Sequence, residues 1–316
     1  MTRIFHSCDF HGNESVWRKA LRTGTYYKAD VVMVCGDLTG KAIVPIVRRK
    51  TDEWFWSARG RGGKLHSKKE VERAKNEIRN MGYYPYETTP EEVEDLKSHP
   101  EKVNALFIKL MRETLQRWIR MAEEIVPENV KIIVNPGNDD VFEIDDIIEK
   151  SERVIYPLGR VVQLDDTYPL ISCEWVNPTP WKTPRECSEK ELMKKLEKEF
   201  NRVDSYENLI CNFHAPPYDT PIDLAPKLDK QLRVVMRGGA PVMEHVGSKA
   251  VREAIERYQP FICLHGHIHE SAGYVRIGRT LCVNPGSEYT QGILRGYVID
   301  LPSKPSEKMN FWRVEV

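Results

Sequence analysis

The sequence predicts a layered α/β fold built around a mixed β-sheet. Short runs of β-branched residues recur along the chain, and each ends in a polar cluster, at residues 3–8, 30–35, 130–135, 168–173, 208–213 and 260–264. Short runs that are apolar throughout are typical of strands buried on both faces. Helical patterns lie between them at 14–28, 188–203 and 248–258, and this alternation indicates helices layered against a sheet.

Two parts of the chain depart from that alternation. The C-terminal part has strand-like runs without an intervening helix, which indicates a mixed sheet, at 273–277, 280–283, 296–300 and 310–316. The segment 45–128 is charged and carries apolar residues at three- and four-residue spacing over 67–81 and 100–125, the pattern of amphipathic helices. Because such stripes must be buried against a neighbour, we expect one domain over 1–316 with a helical insertion at 45–128.

Composition narrows the classes of function. The 316 residues include 47 Lys and Arg against 47 Asp and Glu, and this neutral balance argues against a nucleic-acid coat protein or a basic membrane-surface module. No stretch approaches the roughly 18 apolar residues of a membrane span. The first five residues run straight into a strand-like segment, so we expect no export leader. Seven cysteines lie scattered, without a CxxC pair. We therefore expect a cytoplasmic protein whose cysteines are small core residues.

Metal-ligating residue types follow the predicted strands. They are Asp9 and His11, then Asp37, then Asn138, Asp139 and Asp140, then His214, and finally His265, His267 and His269. Ligand sites of open α/β sheets lie at the carboxyl ends of strands, so these loops are expected to meet. In extended chain, residues i and i+2 point to the same side, which allows Asp9 with His11, and His267 with His269, to reach one point each.

The donor types indicate transition metals. Carboxylates and imidazoles suit Mn, Fe, Zn or Co rather than Ca²⁺, which prefers oxygen ligands alone. Asp37 has two oxygens and could bridge two cations. Glycines at 36, 137 and 266 allow sharp turns and close backbone approach where the strands end.

These motifs, in this order, resemble the calcineurin-like metallophosphoesterase superfamily, with Asp-x-His, Gly-Asp, Gly-Asn-x-Asp, a single His and Gly-His-x-His. Residues 177–181, 214–217 and 284–287 further resemble its small prokaryotic phosphoesterases. The resemblance implies a four-layer α/β/β/α sandwich with two mixed sheets and two divalent transition-metal ions, Mn first, with Fe, Zn, Co or Ni as alternatives. It implies one metal on Asp9, His11, Asp37 and His269, and a second on Asp37, Asn138, His214 and His267.

The chemistry expected of such a site is direct phosphoester hydrolysis by a hydroxide that bridges the metals. Two cations carry four positive charges, whereas Asp9 and Asp37 are the only anionic ligands, so the site would attract phosphate although the whole chain is neutral. The expected partner is a small phosphoester.

One position departs from the superfamily pattern. Asp139 stands where a catalytic His is usual, and an ionised carboxylate there would disfavour dianionic monoesters, so we predict a preference for diesters. His265 could partly replace the missing imidazole, or could be an ordinary hydrogen-bonded histidine. Asn13 and Arg185 are candidate phosphate contacts, although a turn residue and a rim arginine are the alternatives. Asp140 is expected to cap a helix or orient a ligand.

The insertion leaves its role open. Its residues 54–69 combine aromatics with positive charge, as single-strand nucleic-acid grooves do, but the aromatics could instead fasten the insertion to the body. We expect a lid over the metal site. The alternative functions are a nuclease of the same superfamily and a non-catalytic interaction scaffold on this fold, although such scaffolds typically lack several ligands.

Overall fold

The computed structural model describes residues 1–316 and contains two mixed β-sheets whose inner faces share one apolar core. The strands are β1 (Thr2–Ser7), β2 (Val31–Cys35), β3 (Ile43–Lys50), β4 (Glu53–Ala58), β5 (Arg61–Leu65), β6 (Tyr84–Thr88), β7 (Lys131–Asn135), β8 (Val162–Gln163), β9 (Pro169–Cys173), β10 (Ile210–Phe213), β11 (Leu224–Pro226), β12 (Met236–Arg237), β13 (Ala240–Pro241), β14 (Met243–His245), β15 (Ile262–Leu264), β16 (Gly273–Ile277), β17 (Thr280–Asn284), β18 (Arg295–Leu301) and β19 (Asn310–Glu315). The helices are α1 (Glu14–Tyr26), α2 (Lys68–Asn80), α3 (Pro90–Ser98), α4 (Pro100–Ile125), α5 (Asp145–Glu149), α6 (Glu189–Phe200) and α7 (Lys249–Tyr258).

The strand order makes both large sheets mixed. The first runs β19-β18-β1-β2-β7, with β1, β2 and β7 parallel, β18 antiparallel to β1, and β19 antiparallel to β18. The second runs β16-β17-β15-β10-β9-β8, with four parallel central strands and antiparallel edges. The C-terminal strands are therefore divided between the two sheets.

Alternation along single strands separates the layers. In β2, Val31 and Met33 face the second sheet, whereas Val32 and Val34 lie under α1 and α4, as the period of two requires. On that outer face the rings of Trp17 and Trp118 stack at 4.9 Å. The outer face of the second sheet packs on α6 and α7. This arrangement confirms the predicted four-layer α/β/β/α sandwich.

Side-chain caps define where the helices begin. Ser188 forms a reciprocal capping box with Glu191 at the start of α6, and Ser248 accepts from the Val251 amide at the start of α7. Such caps satisfy amides that lack an intrahelical partner. None of the helices has both the length and the apolar composition needed to cross a bilayer.

The expectation that the segment 45–128 is helical is wrong in part. Besides α2, α3 and α4, it contains most of a four-stranded sheet in the order β5-β4-β3-β6. Trp54 and Trp56 point to the same face and are buried with Val71 and Ile78 of α2. Strand β4 has one buried face, and β5 is charged, glycine-rich and without a buried residue. Neither shows the fully apolar run of a central strand, so the sequence did not indicate them between the helical patterns. Buried tryptophans cannot serve as a stacking platform for bases.

Candidate metal centre

The loops that follow five parallel strands meet at one end of the sandwich. Strands β1, β2 and β7 supply the loops of the first sheet, and β10 and β15 supply those of the second. The seven ligand positions implied by the resemblance all lie there, at Asp9, His11, Asp37, Asn138, His214, His267 and His269. The first five of these are at most 3% exposed.

The backbone of these loops is strained. Asp9, His11, Asp37 and His267 all adopt positive φ, at 57°, 43°, 45° and 67°. Few residues other than glycine adopt this region, and such strain is retained where surrounding structure enforces it. The left-handed turns redirect each side chain inward from the end of its strand.

Glycine is required where the loops touch. A Cβ on Gly36, whose φ is 101°, would lie 2.1 Å from Nδ1 of His214. A Cβ on Gly137 would lie 2.4 Å from the amide nitrogen of Asp37. Gly36 therefore lets the loops of the two sheets close on each other, and Gly137 does the same for the β2 and β7 loops, as their sequence positions indicate.

One group of donors surrounds the Oδ2 side of Asp37. Nε2 of His11 lies 3.7 Å from that oxygen and 3.1 Å from Nε2 of His269. With a carboxylate oxygen of Asp9, the four ligand atoms all lie within 4.8 Å of one another. This group could hold a metal ion.

A second group surrounds the other carboxylate oxygen. Nε2 of His214 lies 3.6 Å from Oδ1 of Asp37 and 3.1 Å from Oδ1 of Asn138. His267 completes a set with Asp37 and His214 whose ligand atoms lie within 4.8 Å of one another. Asp37 therefore stands between the two groups, with one oxygen facing each.

The protonation of the donors fits divalent cations. Burial lowers the pKa of His267 to about 3 and that of His269 to about 4, so both rings are neutral with a lone pair to offer. Burial alone would raise the pKa of Asp37, but the charge and hydrogen bond of His214 keep it below its ordinary value. Burial raises the pKa of Asp9 to about 7, because a second carboxylate is costly in this pocket without a cation. Burial alone would lower the pKa of His214, but the charges of Asp37 and Asp9 raise it to about 9, so a bound cation would replace the proton of that ring. Imidazoles with two carboxylates suit transition metals.

Neighbouring groups hold the loops in place. The Asp140 carboxylate accepts from the amides of Leu38, Thr39 and Gly137 at 2.8–2.9 Å, which ties the β2 and β7 loops together. The role predicted for Asp140, orienting rather than ligating, agrees with these contacts. The amide of His267 donates to both oxygens of Asp9, at 3.0 and 3.2 Å, and this bond joins the loops of the two sheets.

Asp139 lies beside the two donor groups and has a partner that the sequence analysis missed. Its amide donates to Oδ1 of Asp37 at 2.9 Å, and Nζ of Lys41 lies 2.5 Å from its Oδ2. Burial raises the pKa of Asp139 to about 6, the charge of Asp37 adds to the rise, and Lys41 opposes it. Lys41 comes four residues after Asp37 in the same loop, and this proximity was the only signal in the sequence.

The catalytic role suggested for His265 is not supported by its position. The ring is 1% exposed, and Nδ1 lies 2.8 and 2.9 Å from the carbonyl oxygens of Phe213 and Ala215. It does not line the cleft that contains the donor groups. Its ring also lies near Cys263 and Cys282 in the core. These contacts agree with the alternative prediction, an ordinary hydrogen-bonded histidine.

The two predicted substrate contacts are also engaged elsewhere. Asn13 caps α1 through Oδ1, and its Nδ2 donates to the carbonyls of Asn80 and Tyr289, at 2.6 Å each. Arg185 is 1% exposed and pairs with Asp145 at 2.6 Å. Neither residue lines the cleft. Arg185 stabilises the loop after Asp140 through its contact with Asp145 and does not reach the cleft.

The donor groups lie in a cleft of about 1310 Å³. Its lining includes His11 and His269 of the donor groups, together with Lys41 and Asp139 beside them. Phe107 and Ile108 of α4 contribute one wall, but none of residues 54–69 does. Part of the inserted segment therefore borders the cleft, whereas its β4–β5 hairpin does not.

Comparisons with known proteins support the fold. No family model matches the sequence. Over 158 residues, 49% of this chain, the sequence is 34% identical to the uncharacterized protein MJ1162 of Methanocaldococcus jannaschii, and the match spans 64% of that protein.

Two solved structures are similar along nearly the whole chain. One crystal structure gives a TM-score of 0.61 at 16% identity, covering 99% of this chain and 98% of the other. The crystal structure of TT1561 of Thermus thermophilus gives a TM-score of 0.52 at 12% identity, with 98% of both chains covered. At these identities the similarity establishes the shared fold.

Proposed function

We propose that this chain is a metal-dependent phosphoesterase of the calcineurin-like metallophosphoesterase superfamily, with a binuclear metal site. One observation carries the proposal: the two oxygens of the Asp37 carboxylate face two separate groups of buried nitrogen and oxygen donors. A carboxylate that faces two donor groups with one oxygen each could bridge a pair of divalent ions. The order of the sequence motifs supports the same assignment.

The ligand sets follow from the grouping. Asp9, His11, Asp37 and His269 would hold one ion, and Asp37, Asn138, His214 and His267 would hold the other. Bound divalent ions acidify a water molecule and polarise phosphoryl oxygens. The protein's own contribution is to keep the rings of His11, His267 and His269 neutral by burial, and to hold the ligands rigidly through the strained loops and the Asp140 contacts.

Lys41 and Asp139 would meet the substrate beside the donor groups. Lys41 supplies a cation for a phosphoryl oxygen, and Asp139 positions it through the 2.5 Å contact. This pair would stand in for the imidazole usual at position 139. We propose a preference for diesters, since a monoester dianion brings one more negative charge towards Asp139. The preference is smaller than an isolated Asp139 would produce, because Lys41 offsets that charge.

Metal add-back tests the chemistry. We expect protein stripped with a chelator to regain hydrolysis of bis-p-nitrophenyl phosphate with Mn²⁺, and elemental analysis to find two ions per chain. Asp37→Asn should lose both metal and activity, because the amide is a weaker ligand and cannot bridge as an anion. Asp52→Asn, which removes an exposed carboxylate, is the matched control and should keep both.

The outcomes separate the alternatives. Protein that binds no transition metal would overturn the proposal in favour of a scaffold. Faster cleavage of p-nitrophenyl phosphate than of the diester would overturn only the diester preference.

A further inference from the structure

We propose that the substrate is an amphipathic phosphoester, whose aliphatic chain lies along an apolar wall of the cleft. This inference rests on the proposed phosphoesterase function and names its substrate class. The wall consists of Leu228, Leu232 and Val234, which we call the cap wall, and Trp181 from the 177–184 loop borders the same cleft.

The cleft is continuous from the donor groups to the cap wall. His267 and His269 line one part of it, and Leu232 and Val234 line another. Its volume of about 1310 Å³ exceeds the roughly 300–1,000 Å³ of pockets that hold drug-sized ligands. A phosphoryl group at the donor groups would leave most of this space for the rest of the substrate.

Three exposed apolar side chains border the cleft. Trp181 is 62% exposed, Leu232 is 49% exposed and Val234 is 45% exposed. Single exposed apolar residues are ordinary, but several that line one concave surface mark a binding site. Phe107 and Ile108 of α4 add apolar surface to the cleft. A ligand with an aliphatic chain would cover surface that is otherwise in contact with water.

The turn that carries Leu232 has a strained backbone. Leu232 has a φ of 58°, which is unfavourable for a leucine. The Asp229 carboxylate stabilises the turn, accepting from the amides of Gln231 and Arg233 at 2.8 and 3.0 Å. A bridge between Leu228 and Val234 closes it. The turn therefore holds the leucine side chain on the cleft.

The cap wall indicates the chemical nature of the substrate's aliphatic part. Leu228, Leu232 and Val234 have side chains without hydrogen-bonding groups, so they cannot read a polar head group. Their contribution to binding is proportional to the apolar area that a ligand covers. An unbranched alkyl or acyl chain provides that area, and each methylene adds to it until the wall is covered.

A homologous substrate series tests the inference. Methyl, butyl, hexyl and octyl esters of p-nitrophenyl phosphate share one leaving group and one phosphodiester charge, so they differ only in chain length. With Mn²⁺, and below the concentration at which the octyl ester aggregates, we expect kcat/KM to rise about two- to fourfold per methylene.

Variants locate the effect. Leu232→Asn introduces a residue that tolerates positive φ, and Val234→Thr keeps the β-branched shape. Each variant should lower the ratio of octyl to methyl kcat/KM by at least about threefold, which is the effect of losing one buried methylene. Met236→Gln is the matched control, because Met236 lies two residues after Val234 and is 55% exposed but does not line the cleft. It should leave the ratio unchanged.

The results distinguish this inference from the function on which it rests. If no ester is cleaved with any divalent metal, the phosphoesterase proposal fails. If the methyl and octyl esters are cleaved equally well, only the amphipathic substrate is refuted. If the p-nitrophenyl ester of thymidine 5′-phosphate is cleaved better than the octyl ester, the cleft selects a nucleoside, and the aliphatic assignment is wrong.

Discussion

Replacing Lys41 tests the proposal that the Lys41–Asp139 pair contacts the phosphoryl group in place of the histidine that is usual at position 139 in the superfamily. Nζ of Lys41 lies 2.5 Å from Oδ2 of Asp139, and the lysine side chain is 52% exposed. A hydrogen bond to a charged group contributes roughly 1.5–3 kcal/mol. Solvent screening of a half-exposed cation favours the lower end of that range. Lys41→Met should therefore lower kcat/KM for bis-p-nitrophenyl phosphate about tenfold, since ~1.4 kcal/mol is a factor of ten in rate.

A double-mutant cycle gives the stronger evidence. Lys41→Met leaves the Asp139 carboxylate uncompensated beside the incoming phosphate, so adding Asp139→Asn should recover part of the lost rate. We expect a coupling of at least about 1 kcal/mol between the two positions, as is typical for residues in direct contact. Lys41→Arg should retain most of the activity, because it keeps the charge.

The assay is steady-state hydrolysis in Mn²⁺, with metal content measured for each variant. Lys230→Met is the matched control, since it removes another lysine that lines the same cleft, next to the cap wall. Unchanged kcat/KM in Lys41→Met, or strictly additive effects in the double variant, would refute the role assigned to the pair. Loss of bound metal in Lys41→Met would show that the lysine acts on the metal site instead of on phosphate.

Three further predictions concern the framework. Gly36→Ala should weaken metal binding about tenfold or more by displacing His214, as loss of ligand orientation typically does. Gly60→Ala is the control and should not weaken it, because Gly60 also has a positive φ, 74°, but no atom lies near its Cβ position. Equal metal affinity in both variants would contradict this. Burial lowers the pKa of His6 from 6.5 to about 4, so the neutral ring stabilises the fold above the unfolded pKa, and that stability falls as the pH drops towards the folded value. Between about pH 7 and pH 5, the free energy of unfolding in urea should therefore fall by about 2 kcal/mol less in His6→Gln than in wild type. An equal fall in both proteins would contradict this. Arg185→Met should lower the free energy of unfolding by about 3 kcal/mol, because it removes a buried ion pair with Asp145 and two hydrogen bonds to the carbonyls of Asp140 and Val141. Wild-type stability would contradict the structural role.

Local patterns in the sequence were sufficient for the layered α/β class and for the candidate donors, whereas the four-layer sandwich and the division into two ligand sets were implied by the resemblance to the superfamily. Apolar runs such as the one at 31–35 must be buried on both faces, so they identify central strands without tertiary information. The donors at positions 9, 11, 37, 138, 214, 267 and 269 follow such runs directly, and chain connectivity alone brings the ends of parallel strands to one edge. The glycines beside them were likewise readable, because close approach between loops requires the absence of a side chain.

Tertiary structure decided everything that depends on partners distant in sequence. The pairing of Lys41 with Asp139 joins loops about 100 residues apart, and the sequence shows only that Lys41 lies near Asp37. The same is true of Asn13 and Arg185, whose polar groups are satisfied internally although their residue types suit phosphate. Strand β4 was missed because the burial of its one apolar face depends on where α2 packs, and β5 was missed because it has no buried residue. The sequence by itself therefore determined which residues could form a metal site, whereas only the packing of the loops decided which charged groups face the cleft and which are buried in the framework.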